Sequence, residues 1–88
     1  MIVIKNLTIE NRVPSGVGKL LQINNSRNVI LDGIVFDNNS ANIGNAIHAT
    51  VGSSVLLVNG TTTKGAEGNW LHEKYAADIM STIINKEE

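Results

Sequence analysis

Cysteine is absent from all 88 residues. That excludes disulfide staples and thiolate metal sites, and leaves the redox compartment open. An excess of either charge is also missing: 7 Lys+Arg stand against 8 Asp+Glu for a net charge of −1, and no segment concentrates either sign. This balance gives no electrostatic reason to expect nucleic acid or an anionic membrane as partner. No apolar run approaches the roughly 20 residues that span a bilayer. With Lys5 near its start and no long apolar stretch behind it, the amino terminus does not read as a signal peptide. Aromatics are nearly missing too, with only Phe36, Trp70 and Tyr75. A core of Val, Ile and Leu suits thin stacked layers better than a thick globular interior. The length allows one small domain and not two. Such a domain with an aliphatic core is marginal in isolation, which points to further copies of the chain or to more chain.

What the sequence does have is asparagine at the ends of apolar runs, and repetition. Val29–Asn38 reads VILDGIVFDN, and its echoes are Ile2–Asn11, IVIKNLTIEN, and Val55–Lys64, VLLVNGTTTK. The three segments begin at Ile2, Val29 and Val55, so the unit that separates them is nearly constant in length. A second register agrees: Gly18-Lys-Leu-Leu-Gln22 matches Gly44-Asn-Ala-Ile-His48 and then Gly68-Asn-Trp-Leu-His72, at similar spacings. Self-similarity at such periods is the signature of stacked repeats.

Within each unit the pattern is of short strands. Ile2, Ile4, Leu7 and Ile9 alternate with polar residues and break once at Asn6, giving two strands with a bend between them. Asn11–Lys19 holds the only proline and two glycines and reads as a loop. Leu20–Ile23 is a third strand, and Asn24–Asn28 is a tight polar turn, since Asn tolerates left-handed backbone. Loops and turns recur at Asn39–Asn45 and Gly52–Ser54 around Ala46–Thr50. Three strand-like runs per unit coil into a solenoid of parallel strands about 4.8 Å apart, with like residues stacked. Three rungs are expected, the last incomplete. The inward ladders are Ile4–Leu31–Leu57, Leu7–Ile34 and Ile9–Phe36.

The run Leu21–Asn39, LQINNSRNVILDGIVFDNN, resembles right-handed parallel β-helix proteins of the pectate-lyase-like class over roughly residues 1–64. That class includes polysaccharide lyases and hydrolases, epimerases, and bacteriophage tailspikes and fibres. The resemblance implies a mainly β fold, a short right-handed parallel β-helix of about three rungs. It also implies asparagines that cap main-chain groups at a strand-to-turn corner and stack in ladders. Asn11 and Asn38 match that feature, and Lys64 departs from it.

The last stretch has two readings. Leu71, Tyr75, Ile79 and Ile83 recur every four residues, Asn69 can cap a helix, and Glu73 lies in its first turns. Alternatively Ile79, a comparable distance beyond Val55, falls where Val29 and Val55 sit and begins a further rung. Helix propensity at Glu73-Lys74 and Ala76-Ala77 favours the C-terminal α-helix, although Ser81–Ile84 does not. The expected division is rungs over 1–69 and a C-terminal helix or capping or association segment over 70–88. Trp70, Leu71, Tyr75, Ile79 and Ile83 would form its contact face, closing an otherwise sticky edge or meeting neighbouring chains.

Candidate chemistry is thin. Glu10 and Asp37 share a repeat position, placing carboxylates on adjacent rungs with Thr63 ending the column. Such a pair can share a proton, hold calcium, or act on a glycosidic bond. Solvated surface acids are the plainer reading, and the Asp cluster with catalytic Arg or Lys of related lyases is not present. His48 aligns with His72 and Gln22, but two ligands without a third do not make a metal site. Gly16-Val-Gly-Lys19 lacks the earlier glycine and following Ser or Thr of a phosphate loop. Thr61–Thr63 does not recur on other rungs as an ice-binding face would require. Sequons at Asn6, Asn24, Asn38 and Asn59 follow from composition.

The function expected is a non-catalytic structural or receptor-facing β-helix module, such as part of a phage fibre or spike. It would act without a cofactor, associate as a homo-oligomer with a trimer favoured, and face a cell-surface polysaccharide. A virion or extracellular setting goes with it. The alternative is a fragment of a polysaccharide lyase or hydrolase centred on Glu10 and Asp37.

Overall fold

The computed structural model describes residues 1–11, 17–38, 43–70 and 73–86. The fold is mainly β. Its strands are β1 Ile2–Lys5, β2 Thr8–Glu10, β3 Val17–Asn24, β4 Val29–Asp32, β5 Val35–Asp37, β6 Ile43–Thr50, β7 Ser54–Val58, β8 Thr62–Lys64, β9 Tyr75–Ala77 and β10 Thr82–Asn85. They form three sheets: A in the order β1-β4-β7-β10, B in the order β2-β5-β8, and C in the order β3-β6-β9. Every pairing is parallel. Parallel neighbours need a long crossover, and here each crossover is the chain's passage through the other two sheets.

The register follows the repeat. Ile4, Leu31 and Leu57 stand in line across sheet A, and Ile9 and Phe36 across sheet B. Gly18 lies level with Gly44 in sheet C, so close that a Cβ on Gly44 would sit 2.0 Å from the Gly18 carbonyl oxygen. In β4 and β7, buried and half-buried residues alternate, as they must on a pleated strand with one face inward. Leu31, Ile34, Phe36, Ile47 and Leu57 are fully buried at the centre. Each contributes roughly 1.5–3 kcal/mol by burial.

Two of the corners between sheets stack left-handed residues from rung to rung. Between sheets A and B, Asn6, Gly33 and Asn59 stack with φ of 54°, 68° and 55°. Asn6 N–H donates to Asp32 O (2.8 Å) and Gly33 N–H to Val58 O (3.1 Å). One left-handed residue thus redirects the strand while its amide stays bonded to the next rung. The third rung uses two such residues, because Gly60 has φ 83° as well, and Thr61 N–H closes the turn on Val58 O at 3.3 Å. This extra residue moves Thr62 opposite Val35 and Lys64 opposite Asp37. Between sheets C and A, Asn25 (φ 51°) stacks on Val51 (φ 57°). Buried hydroxyls tie that corner together: Ser26 N–H donates to Ser53 Oγ (3.1 Å) and Ser53 N–H to Ser81 Oγ (3.0 Å).

The C-terminal α-helix expected over Trp70–Asn85 is not formed. Among the described residues the only helical turn is the short 3₁₀ segment Glu67–Asn69. Trp70 bridges to Gly44, β9 pairs with β6, and β10 pairs with β7. The four-residue spacing of Tyr75, Ile79 and Ile83 comes from strand, turn and strand in succession. Asp78–Ser81 makes the turn, with Ser81 N–H donating to Asp78 O at 3.1 Å. β-branched Thr82, Ile83 and Ile84 then take an extended form that suits them. The further-rung register also differs from expectation. Ile83, and not Ile79, stands beside Val55, because Gly44–Ile47 corresponds to the longer stretch Trp70–Tyr75.

Candidate functional site

On sheet B, Phe36 points into the core, so Glu10, Asp37 and Lys64 share the opposite, outer face. Glu10 and Asp37 do stand on adjacent rungs, about 4.8 Å apart along the stack. The column ends in Lys64 and not in Thr63, which the additional residue at Asn59-Gly60 moves to the inward column of Ile9 and Phe36. Asp37 is only 8 % exposed, and its Oδ1 is buried with no hydrogen-bond partner. Thr61 turns inward. Its hydroxyl accepts the Ile34 amide at 3.1 Å and lies 2.9 Å from both the Leu31 and Val58 carbonyl oxygens.

The asparagines sit just past the ends of these strands. Asn11 Nδ2 donates to Asn38 Oδ1 at 3.1 Å, linking two rungs through side chains alone. Asn38 is fully buried. On the third rung Lys64 is followed by Gly65, where a Cβ would come within 2.3 Å of the Asn38 carbonyl oxygen. No side chain fits there, and Asn69, arriving from the 3₁₀ turn, supplies the third asparagine instead.

His48 lies on sheet C, level with Gln22 on one side and Ala76 on the other. The expected stack with His72 is therefore replaced at that place by Ala76, and His72 itself lies outside the described residues. His48 Nδ1 is buried without a hydrogen-bond partner. Among the described residues no group of three or more His, Cys, Asp or Glu could hold a metal ion. At the nearby corner Asp78 accepts the Val51 amide at 3.0 Å and the Met80 amide at 3.1 Å. The Val51 amide foremost, with the Ser81 hydroxyl next, holds its carboxyl below the usual range. Thr50 Oγ1 bonds Asn24 Oδ1 across the rung above.

The residues expected to form one association face are dispersed. Trp70 is buried, and Ile83 packs against the core from the end rung. Tyr75 meets the edge of Phe36, with ring centroids 6.4 Å apart, and burial pushes its phenol up. Ile79 is 100 % exposed at the turn with Met80 beside it. Leu71 lies outside the described residues.

A different apolar surface emerges on the outer face of sheet A. Val3, Ile30, Leu56 and Ile84 stand in one row across all four strands. Val3 and Ile84 are exposed, and Ile30 and Leu56 are half-buried. A groove of about 290 Å³ runs along three members of this row, Ile30, Leu56 and Ile84, and is lined also by Asn28, Ser54, Thr82 and Met1. A sequence signal for this surface exists. Ile2-Val3-Ile4, Val29-Ile30-Leu31 and Val55-Leu56-Leu57 are continuous apolar triplets. On a pleated strand, the central residue of each must face away from its neighbours.

Comparison with protein-family models, with curated proteins and with solved structures finds no match to the chain.

Proposed function

We propose that this chain is a structural module, a short right-handed parallel β-helix that associates with copies of itself. The order in which the chain visits sheets A, B and C supports the coil. Its hand follows from the strong preference of parallel crossovers, right-handed in about 98% of cases. The resemblance to segments of bacteriophage fibres and tailspikes fits this role and a virion or extracellular setting. The observation that carries the reading is the row Val3–Ile30–Leu56–Ile84, four aliphatic side chains in line on the outside of a sheet. Contiguous exposed apolar surface of this kind marks an interaction site. The polar outer positions Gln22, Asn24 and Thr50 of sheet C would remain available to meet a cell-surface polysaccharide. Sedimentation equilibrium of the purified chain tests the reading: a concentration-dependent oligomer is expected, and a monomer up to millimolar concentration sinks it.

A second reading has its own observation, the buried and unpartnered Oδ1 of Asp37 one rung from Glu10. Orphaned buried polar atoms and closely spaced carboxylates both occur at catalytic centres. The spacing of adjacent rungs is near the ~5 Å between the two acids of retaining glycosidases. This reading predicts release of reducing ends from an acidic polysaccharide, lost in Asp37→Asn. Silence across a broad panel of such polymers removes it.

A further inference from the structure

We infer that two copies pair through the outer faces of their A sheets about a two-fold axis running along the strands, with Asp32 of each chain meeting Lys86 of the other. This rests on the self-association proposed above and specifies its geometry. Beside the apolar row runs a second outward row. Lys5, Asp32 and Val58 stand in register, and Lys86, whose amide donates to Leu57 O at 3.0 Å, takes the place next to Val58. Read down the four rungs, the row is cation, anion, aliphatic, cation. Both lysines are exposed, and Asp32 holds an exposed bond from Asn59 Nδ2 at 3.1 Å, which keeps its carboxylate at the surface.

The charge order discriminates between symmetries. Copies arranged side by side around a three-fold axis along the coil bring equal rungs level. With sheet A turned to that axis, three copies of Lys5 gather at one height, three of Asp32 at the next and three of Lys86 at the last, with no opposite charge level with any of them. Like charges juxtaposed in an interface are unfavourable. A two-fold axis along the strands reverses the coil direction of one copy, so its fourth rung meets the second rung of the other. Asp32 and Lys86 then pair twice by symmetry, Ile30 meets Ile84 twice, and Leu56 meets its own copy at the centre. An isologous contact repeats each complementary pair in this way.

The size of the face sets the strength. Three overlapping rungs of three outward residues cover a few hundred Å² by strand spacing, below the roughly 800 Å² per partner of a standard specific interface. A contact of that size belongs with weak, reversible associations.

Charge-swap variants test the pairing. Asp32→Lys and Lys86→Asp are each expected to weaken self-association tenfold or more, because each places like charges in both symmetry-related pairs. Mixed one to one, the two variants form a heterodimer in which both pairs are again opposite in sign, so sedimentation velocity of the mixture regains the dimer. Far-UV circular dichroism confirms that each variant remains folded, and the regained dimer is a signal that misfolding cannot produce. If the wild-type chain dimerises but the mixture stays monomeric, or if single variants dimerise undiminished, the inferred contact is wrong while self-association stands. A trimer or filament likewise overturns the two-fold and leaves the broader reading intact. A monomer at every concentration overturns both and hands the sheet A face to a different partner.

Discussion

Asn38 and Asn69 hold each other by two reciprocal hydrogen bonds. Asn38 Nδ2 donates to the Asn69 carbonyl oxygen at 2.6 Å, and Asn69 Nδ2 donates to the Asn38 carbonyl oxygen at 2.9 Å. With the bond from Asn11, Asn38 ties all three rungs at this end of sheet B. Asn38→Ala leaves buried polar partners unsatisfied, at about 1–3 kcal/mol for each. The expected loss is about 2–4 kcal/mol in total, read as a fall in the denaturation midpoint at unchanged m. A change within about 0.5 kcal/mol, ordinary for surface substitutions, would contradict the clamp.

Val51 occupies the left-handed place that Asn25 fills on the rung above, at φ 57°, with 60 % of its surface exposed. A β-branched residue is a true outlier there, at a cost of the order of 1–3 kcal/mol. Val51→Asn keeps the corner and removes much of that cost. It should stabilise the chain by about 1 kcal/mol and raise Tm by several degrees. A lower Tm would mean that the valine side chain makes a compensating contact.

Gly44 and Gly65 are required by close backbone approach, whereas Gly68 is not. A Cβ would lie 2.0 Å from Gly18 O at Gly44 and 2.3 Å from Asn38 O at Gly65, and would meet nothing within 4 Å at Gly68. Alanine at either of the first two must push rungs apart. A loss beyond about 3 kcal/mol, or failure to fold, is expected, since backbone cannot move aside as a side chain can. Gly68→Ala should fold normally, and chemical denaturation of the three variants side by side distinguishes them.

Asp78 makes the C-to-A corner pH-dependent. Its folded pKa lies below the ordinary aspartate value, chiefly through the Val51 amide. A depressed carboxylate pKa means that the unfolded chain binds the proton more readily. The stabilisation is full above the unfolded value and is lost as pH falls through the lower folded value. The Tm advantage of the wild type over Asp78→Ala should be constant near neutrality and shrink progressively below pH 4. An advantage that persists unchanged to pH 2 would rule out the carboxylate as its source.

The stacking order is legible in the sequence where units are equal in length. Ile4, Leu31 and Leu57 fall into line by counting from one repeat to the next, and Gly18 with Gly44 confirms the count. The count fails wherever a turn changes length. The second left-handed residue at Asn59-Gly60 exchanges Thr63 for Lys64 beneath Asp37, and nothing in the hydrophobic pattern marks that insertion. The stretch from Trp70 to Tyr75 lengthens the last circuit. Matching Gly68–His72 to Gly44–His48 therefore misplaces Ile79, and the resulting spacing of four imitates a helix. Ser81 is the available signal. Ser81-Thr-Ile-Ile-Asn85 repeats Ser53-Ser-Val-Leu-Leu57 in most of its residue classes, and the serine hydroxyl binds the rung above. Of the candidate site, the Glu10–Asp37 pair and the Asn11–Asn38 link follow from position in the repeat. The outer row of sheet A is marked in the sequence only by the central residue of each apolar triplet, and aliphatic residues invite assignment to the interior.

The uniform 26–28-residue separation between stacked partners also fixes how the chain must find its fold. Among the described residues the strand ladders join only residues far apart in the chain, so the first pairing has to close a loop of about 27 residues before any ladder bond forms. Loop-closure entropy grows only slowly with length, so each circuit faces nearly the same barrier. Topology of this kind folds slowly for its size. The middle circuit, with Leu31, Ile34, Phe36 and Ile47 fully enclosed, has a paired strand on both sides in all three sheets, so a nucleus there gains the most burial. Growth then proceeds outward in both directions, and hydrogen exchange should retreat the same way, from β1 and β10 toward β4 and β6.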